Sequence, residues 1–392
     1  MNYLSFSSKV LESIYKEKYS LKAAIFDVEM RYNISDKELE LSKKILIAVL
    51  NQYYFYSYKA NYIFGKHKSF IEKHFYIVLT CTLEILRIKK DTLYQDYLKG
   101  KEYLCIEDGK DYKREILEYS IYSSKLKISN KLLNISVLSS INYDFLQLIK
   151  SQYGLDIAIE FAYSNSKEIK NTIYSEEKLD LPLSDIDNLY YYESKDSKLF
   201  GGKKTVKISY SLMKVLSEFD FSPYQNLLQL ETFDTSLNRI LGLKYPQLNQ
   251  DIVYKSDIIY NQNVNAISKL KLKNISSHAS IRRKLFKEHD IVICNPPSSN
   301  LGLLKINKEA NLFLSKKEIP NLIQNQRNLI EKSINLLKGK GVMLYIVFTM
   351  NKNEGEDLIS TYPLEVIKQG TIFPFDYSSS GLFYAYLRKK EK

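Results

Sequence analysis

The sequence predicts an α + α/β protein of 392 residues, with an all-helical region first and a doubly wound α/β domain after it. Three observations predict this. From the start to about residue 135, apolar residues recur three and four positions apart with almost no Pro or Gly between them, the period of packed amphipathic helices. After about residue 200, short apolar runs alternate with helical patterns, the signature of a doubly wound sheet. Between the two the elements become shorter and more polar. A chain of this length can bury more than one core, so the expected division is a helical domain over 1–135, a bridging segment over 136–200 and an α/β domain over 201–392.

In the first region, 37-KELELSKKILIAVLNQYYFYSYKANYIF-64 reads as helix, with Leu39, Leu41, Ile45, Leu46, Val49 and Leu50 on one side and lysines opposite. A second helix, 69-SFIEKHFYIVLTCTLEIL-86, follows closely, and short connections of this kind argue for a bundle. The stretch 180–198 reads as strand and loop. The run 201-GGKKT-205 lacks the spacing of a phosphate-binding loop and reads as a turn. Strands are expected at 225–231, 252–257, 290–295, 341–348 and, as an edge hairpin strand, 381–389. Helices are expected at 234–243, 261–271 and 320–337. The last of these has Ser315 and Glu318 spaced like a capping box, Pro320 in its first turn, Leu322, Leu329, Ser333 and Leu337 on one face, and Gly339 and Gly341 to end it.

Composition limits the function classes. With 45% hydrophobic and 26% charged residues the chain is not broadly disordered. Its longest apolar runs, such as 341-GVMLYIVFT-349, fall short of the roughly 20 residues a membrane helix needs. The start lacks the apolar core of a signal peptide, so a cytoplasmic, membrane-free, monomeric protein is the expectation. Cys81, Cys105 and Cys294 have no metal-ligand spacing, and with four histidines they imply neither a zinc site nor a disulfide framework. A net charge of +12 favours a polyanionic partner. A Lys-, Asn-, Ile- and Tyr-rich composition with no Trp is also what an AT-biased genome produces, so the charge alone leaves both readings open.

The stretch 289-HDIVICNPPSSNLG-302 is a buried strand delivering a stiff turn, and from there the chain resembles a known family. A strand end of Asp-Ala-Pro-Cys-Ser-Gly-x-Gly is matched by 295-NPPSSNLG-302 without a gap, with Pro297, Ser299 and Gly302 retained, Asn295 for the Asp and Ser298 for the Cys. Leu322, Gln326, Leu329, Ser333 and Lys338 to Gly341 fit the helix that should follow. A Tyr-Ser-Thr-Cys-Thr followed by Glu-Asn-Glu corresponds to 345-YIVFT-349 and 354-EGE-356, with Phe348 for the Cys, and 380-SGLFYAYL-387 echoes the closing Asp-Gly-Phe-Phe-x-Ala-x-Leu. Together with 141-INYDFLQLIKSQYG-154, these place the chain as similar to the RsmB/NOP family of ribosomal RNA cytosine-5 methyltransferases, in the bacterial form with an N-terminal NusB-like domain. The resemblance covers nearly the whole chain and is firmest in its last hundred residues. It implies a NusB-like RNA-docking bundle, a Rossmann-like methyltransferase domain, S-adenosylmethionine as cofactor and ribosomal RNA as partner.

The resemblance also shows what has changed. The family's nucleophile is a cysteine thiolate that adds to cytosine C6, and it sits where this chain has Phe348. A phenyl ring cannot form the adduct. The second cysteine, associated with product release, is Ser298, which would need a strong neighbouring base to act as a nucleophile. Asn295 replaces a carboxylate that contacts the base edge and keeps a donor and an acceptor. The family's Cys-Ala-Ala-Pro-Gly-Gly-Lys-Thr cofactor loop is replaced by 231-ETFDTSLN-238, which has no glycine. There, Phe233 and Leu237 are expected to crowd the cofactor, and Glu231 and Asp234 to put negative charge beside its carboxylate. Asp257 stands where an acid accepts ribose hydroxyls, with a plain helix-start Asp as the alternative. Cys294, inside the strand, should point into the sheet. The basic residues Arg282, Arg283, Lys284, Lys305, Lys308, Lys316 and Lys317 are candidate phosphate contacts or a solvated face. The expectation is a family member that has lost its catalysis and acts by binding RNA; an active S-adenosylmethionine-dependent RNA methyltransferase with altered chemistry is the alternative. Asn-Pro-Pro also occurs in amino methyltransferases, where an aromatic residue follows and stacks on the base; Ser298 offers no such face.

Overall fold

The structure is a computed structural model that describes all residues except 66–69, 89–112, 194, 197–203, 281–284, 286–287 and 391–392. The Gly201-Gly202 turn, Cys105 and the Arg282, Arg283, Lys284 cluster therefore lie outside the described residues. The chain forms two compact units. One comprises Met1–Ser166 with Asn307–Lys316, the other Lys167–Ile306 with Lys317–Lys392.

The first unit is helical. Its longer helices are Tyr3–Glu17, Asp36–Asn51, Tyr53–Phe64 and Phe70–Ile88, and the side chains of Asn2, Ser20, Ser35 and Asn130 each cap a helix N-terminus. The expected helix over 37–64 breaks at Gln52, whose backbone leaves the helical region between the second and third of these. Ile45, Leu46, Val49 and Leu50 join the core with Leu4, Val10, Leu11, Ile14, Val78 and Leu83, whereas Leu41 is exposed. Helices continue through Lys131–Leu138, Tyr143–Tyr153 and Leu155–Ser164, beyond the region that the periodicity marked as helical. These helices are short, and Asn130, Asn142 and Gly154 stand at their starts, so too few turns exist to establish a pattern. A charged knot sits inside the bundle: Glu84 pairs with Lys59 at 2.5 Å and Arg87 at 2.6 Å, and accepts the Tyr119 hydroxyl.

The second unit carries two sheets. Strands β1 (Asn171–Ser175), β2 (Leu189–Tyr192) and β3 (Thr205–Lys207) form a small antiparallel sheet in the order β2-β1-β3. The main sheet contains β4 (Asn226–Thr232), β5 (Asn249–Tyr254), β6 (Ile275–His278), β7 (His289–Cys294), β8 (Leu337–Val347), β9 (Leu364–Ile372) and β10 (Leu382–Lys389). Its order is β6-β5-β4-β7-β8-β10-β9, parallel through β8 and with β10 antiparallel to both neighbours. This is the Rossmann-like methyltransferase sheet that the resemblance implied. Its central strands are covered on both faces, which is why 291-IVIC-294 is continuously apolar and fully buried.

Three local expectations are corrected. The 381–389 strand is not an edge, because β10 lies between β8 and β9. The edge on that side is β9, whose Glu365 to Gln369 are all exposed, Val366 and Ile367 included, so no buried face alternates along it. The N-cap of the helix Ile319–Asn335 is Glu318, whose side chain makes no cap bond, so Ser315 does not stand at the helix start, and a 3-10 turn at Lys316–Glu318 separates the two. Gly339 and Gly341 lie within β8, which begins at Leu337 and passes Lys340 in the left-handed region. Among the described residues no single helix is long and apolar enough to cross a membrane.

Strand order reverses between β4 and β7. In an open α/β sheet the crevice outside the carboxyl ends of such a pair is where ligands bind. That rule brings together the two segments the sequence singled out, 231–238 after β4 and 295–302 after β7.

Candidate active site

The turn after β7 is held by one buried carboxylate. Glu354 is fully buried, and its Oε1 accepts from the Ser299 backbone N–H at 2.8 Å and from Gln326 Nε2 at 3.1 Å. Its Oε2 accepts from Asn351 Nδ2 at 3.0 Å and Thr349 Oγ1 at 3.4 Å. Gln326 also donates to the Pro297 carbonyl at 3.0 Å, and Ser299 Oγ meets Thr349 Oγ1 at 2.9 Å. The retained family positions therefore meet in space: the turn at 297–299, the helix Gln326 and the acid after β8 form one network. A buried charge needs this many partners to offset its lost hydration.

Gly302 closes the turn by close approach. Its N–H donates to the Phe348 carbonyl at 3.0 Å and its carbonyl accepts from Gly381 N–H at 2.8 Å. A Cβ at Gly302 would lie 1.8 Å from the Gly381 carbonyl oxygen, so only glycine fits.

The two positions that the family fills with cysteine diverge here. Phe348, just past β8 and half-buried, lines a cavity of about 350 Å³ together with Asp234, Ser236, Thr172, Ser209 and Leu212. Ser298 is buried outside that lining, and its hydroxyl donates to Asn300 Oδ1 and accepts from Asn300 N–H, both at 3.3 Å. No base stands beside it in those contacts. Asn295, half-buried just past β7, makes no side-chain hydrogen bond among the described residues. Cys294 is fully buried in the strand, and burial pushes its thiol up to about 12, so it stays neutral.

The loop after β4 is closed on itself. Thr232 Oγ1 donates to the Asp234 carbonyl at 2.6 Å and accepts from Gln229 Nε2 at 2.9 Å and Asp234 N–H at 3.3 Å. Asp234 Oδ2 accepts from the Ser236 N–H at 3.1 Å and from its hydroxyl, so a carboxylate of the chain already occupies the start of the helix Ser236–Lys244. In the family's loop that place is left open by glycines for the cofactor. Glu231, in the left-handed region at φ 50°, is tied to Lys255 at 2.9 Å and Lys332 at 3.3 Å. Burial alone would raise its pKa, but the two lysines outweigh this and hold the carboxyl below the usual carboxylate range. The residues present do not fit S-adenosylmethionine in the way the family's loop does. Leu237 corrects one expectation: it points into the core and crowds nothing, and Phe233 is 48% exposed.

The remaining candidates disperse. Asp257 is exposed in the first turn of Asp257–Lys269, where Ser256 caps the helix, and it lines neither this cavity nor the one beside Glu231. An acid there favours the helix dipole. Lys305 was expected at the surface, but it is buried and its ammonium has no hydrogen-bond partner among the described residues. Burial, then repulsion from Lys167, lowers its pKa. Lys308 donates to the Asn165 carbonyl at 2.9 Å, while Lys316 and Lys317 are exposed. Sequence reasoning gave no role to Glu354, Thr349, Asn351, Lys170 or Lys207. Glu354 and Thr349 carried a signal, the one through its fixed distance from 345-YIVFT-349 and the other as the closing residue of that stretch.

Comparison with known proteins gives a consistent picture. Residues 254–365 match the model of the 16S rRNA methyltransferase RsmB/F family. The chain is 27% identical over 149 residues to ribosomal RNA small subunit methyltransferase F of Serratia proteamaculans (strain 568), covering 31% of each protein. It is also 27% identical over 122 residues to the protein of that name from Pectobacterium atrosepticum, covering 26% of this chain and 25% of that one. The chain thus spans less than a third of the length of these curated relatives. In fold, it resembles the crystal structure of PH0851 over 99% of both chains, with a TM-score of 0.69 and 15% identity. A methyltransferase homolog from Pyrococcus horikoshii aligns over 67% of this chain and 100% of its own with a TM-score of 0.57 and 14% identity.

Proposed function

Since the chain belongs to the RsmB/F family of ribosomal RNA methyltransferases, we propose that it acts by binding ribosomal or similarly structured RNA and does not itself methylate cytosine. The observation that carries this is Phe348: the family's attacking atom is replaced by a hydrocarbon ring facing the cavity. The closed loop at Thr232 and Asp234 supports it, because the cofactor's place at the helix start is filled from within. The fold is retained because the Glu354 network holds the turn without either cysteine. The alternative, an active enzyme with altered chemistry, requires a base at Ser298, whose hydroxyl pairs with Asn300. On this reading the helical unit is a NusB-like docking module, the S-adenosylmethionine site is vestigial, and the protein works as a monomer in the cytoplasm without a metal.

Binding of a 16S rRNA fragment should test this directly. With a net charge of +12, affinity is expected to fall steeply with salt, by about 10³-fold or more between 50 and 200 mM if at least six phosphates are contacted. Incubation with labelled S-adenosylmethionine should leave the RNA unmethylated. A flat salt dependence would exclude the RNA reading, and methylated cytosine would exclude the loss of catalysis. Phe348→Cys with Ser298→Cys is expected to remain inactive, because the loop over 231–238 is unchanged.

A further inference from the structure

We infer that Arg239 is a docking point for one phosphate group of a bound RNA strand, gripped by the guanidinium fork outside the Phe348 cavity. This rests on the RNA-binding reading above and assigns a contact that the candidate basic residues did not include. Among the described arginines, Arg239 alone is without a partner. Arg31, Arg87, Arg114 and Arg388 pair with carboxylates and Arg327 donates to Thr361, whereas Arg239 makes neither a hydrogen bond nor an ion pair.

This arginine does not simply stand in solvent. It is half-buried on the helix Ser236–Lys244, and its Nε is shielded from water. Burial lowers its pKa, opposed by Asp234 and Tyr254, which lie within electrostatic reach. Neither closes on it: Asp234 Oδ2 accepts from the Ser236 N–H and hydroxyl, and the Tyr254 hydroxyl meets Ser277 Oγ at 3.3 Å. The polar groups nearby on the two helices are also spent within the fold. Thr235 Oγ1 meets Asn263 Oδ1 at 3.4 Å, and Asn263 Nδ2 donates to the Ile259 carbonyl at 2.9 Å. Tyr254 ends β5 and packs edge-on against Tyr260 of the helix Asp257–Lys269, with ring centres 5.4 Å apart, so the fork sits where both helices meet the carboxyl end of β5. A guanidinium that has lost part of its hydration and gained no acceptor is a cost the fold leaves uncompensated. The group that completes it is an anion presenting two oxygens to the planar fork, as a phosphate does, and the net charge of +12 favours one carried on a polyanion.

The test is fluorescence titration of the full chain with the 16S rRNA fragment at several salt concentrations, for wild type and Arg239→Gln. Losing one phosphate contact lowers the slope of log affinity against log salt by about 0.7 to 0.9. The variant is therefore expected to bind about tenfold more weakly at low salt, and the deficit should shrink about threefold between 50 and 200 mM. Its melting temperature should equal or exceed that of wild type, because no internal bond is lost. An unchanged slope, or a melting temperature several degrees lower, would mean that the guanidinium serves the fold, and would overturn the assignment while RNA binding stands. A flat salt dependence of wild type would overturn both. Inorganic phosphate distinguishes the two sources of the group. If it raises the melting temperature of wild type but not of Arg239→Gln, and the RNA slopes coincide, the fork holds a free phosphate and the strand contact is refuted.

Discussion

Glu354→Ala is expected to be the most damaging single change in the second unit. It leaves the Ser299 N–H, the Asn351 amide and part of the Gln326 amide buried without an acceptor. Each orphaned buried donor costs about 1–3 kcal/mol, so a loss of about 3–5 kcal/mol is expected, or a fall in melting temperature of roughly 10 °C for a unit of this size. The reason is geometric as well as energetic. Glu354 joins the turn after β7, the helix Ile319–Asn335 and the chain following β8, accepting from all of them, and Gln326 links the same three through its bonds to Pro297 and Glu354. Chemical denaturation checks this, and a loss below about 1 kcal/mol would mean that the carboxylate does not hold the turn.

In the first unit the matching change is Glu84→Ala. Removing this carboxylate strands Lys59, which is only 4% exposed, and frees the Tyr119 hydroxyl inside the bundle. Breaking a buried ion pair from one side costs about 3–5 kcal/mol. A pH signature accompanies it. Burial would raise the Glu84 pKa, but Arg87, Lys59 and Tyr119 together outweigh burial and lower it from 4.5 to about 2. A carboxyl whose pKa is depressed by folding stabilises the fold fully above its unfolded value, and that contribution is lost as pH falls toward the folded one. Wild type should therefore lose stability of this unit between about pH 5 and pH 2, and Glu84→Ala should show a shallower decline. An identical pH profile for the variant would contradict the depressed pKa.

Much of this architecture was legible in the sequence for a physical reason. Strands β4, β7 and β8 are buried on both faces, and their continuous apolar runs located them to within a few residues. Strands β6 and β9 were illegible, because Ser276 and Ser277 give the one no apolar run, and in the other the whole of Glu365 to Gln369 is exposed, so Val366 and Ile367 mark no buried face. The interior place of β10 follows from the pairing of β9 with it, which no local pattern encodes. At the site, the replaced residues Phe348 and Ser298 could be named by position, but their separation into cavity wall and buried turn could not. Leu237 shows the same limit. Its identity suggested a clash with a cofactor, but the direction of its side chain depends on where the helix Ser236–Lys244 begins. Likewise, the acid at 354 was visible, whereas the four donors converging on it come from positions 28 to 55 residues earlier and 3 to 5 residues earlier in the chain.

On the proposal that the cofactor site has been lost along with the nucleophile, calorimetric titration of the full chain with S-adenosylmethionine is the decisive measurement. With Asp234 bonded to the helix start and Thr232 closing the loop, no saturable heat is expected. Tight, stoichiometric binding would contradict it, and would mean that the loop opens to admit the cofactor despite its missing glycines.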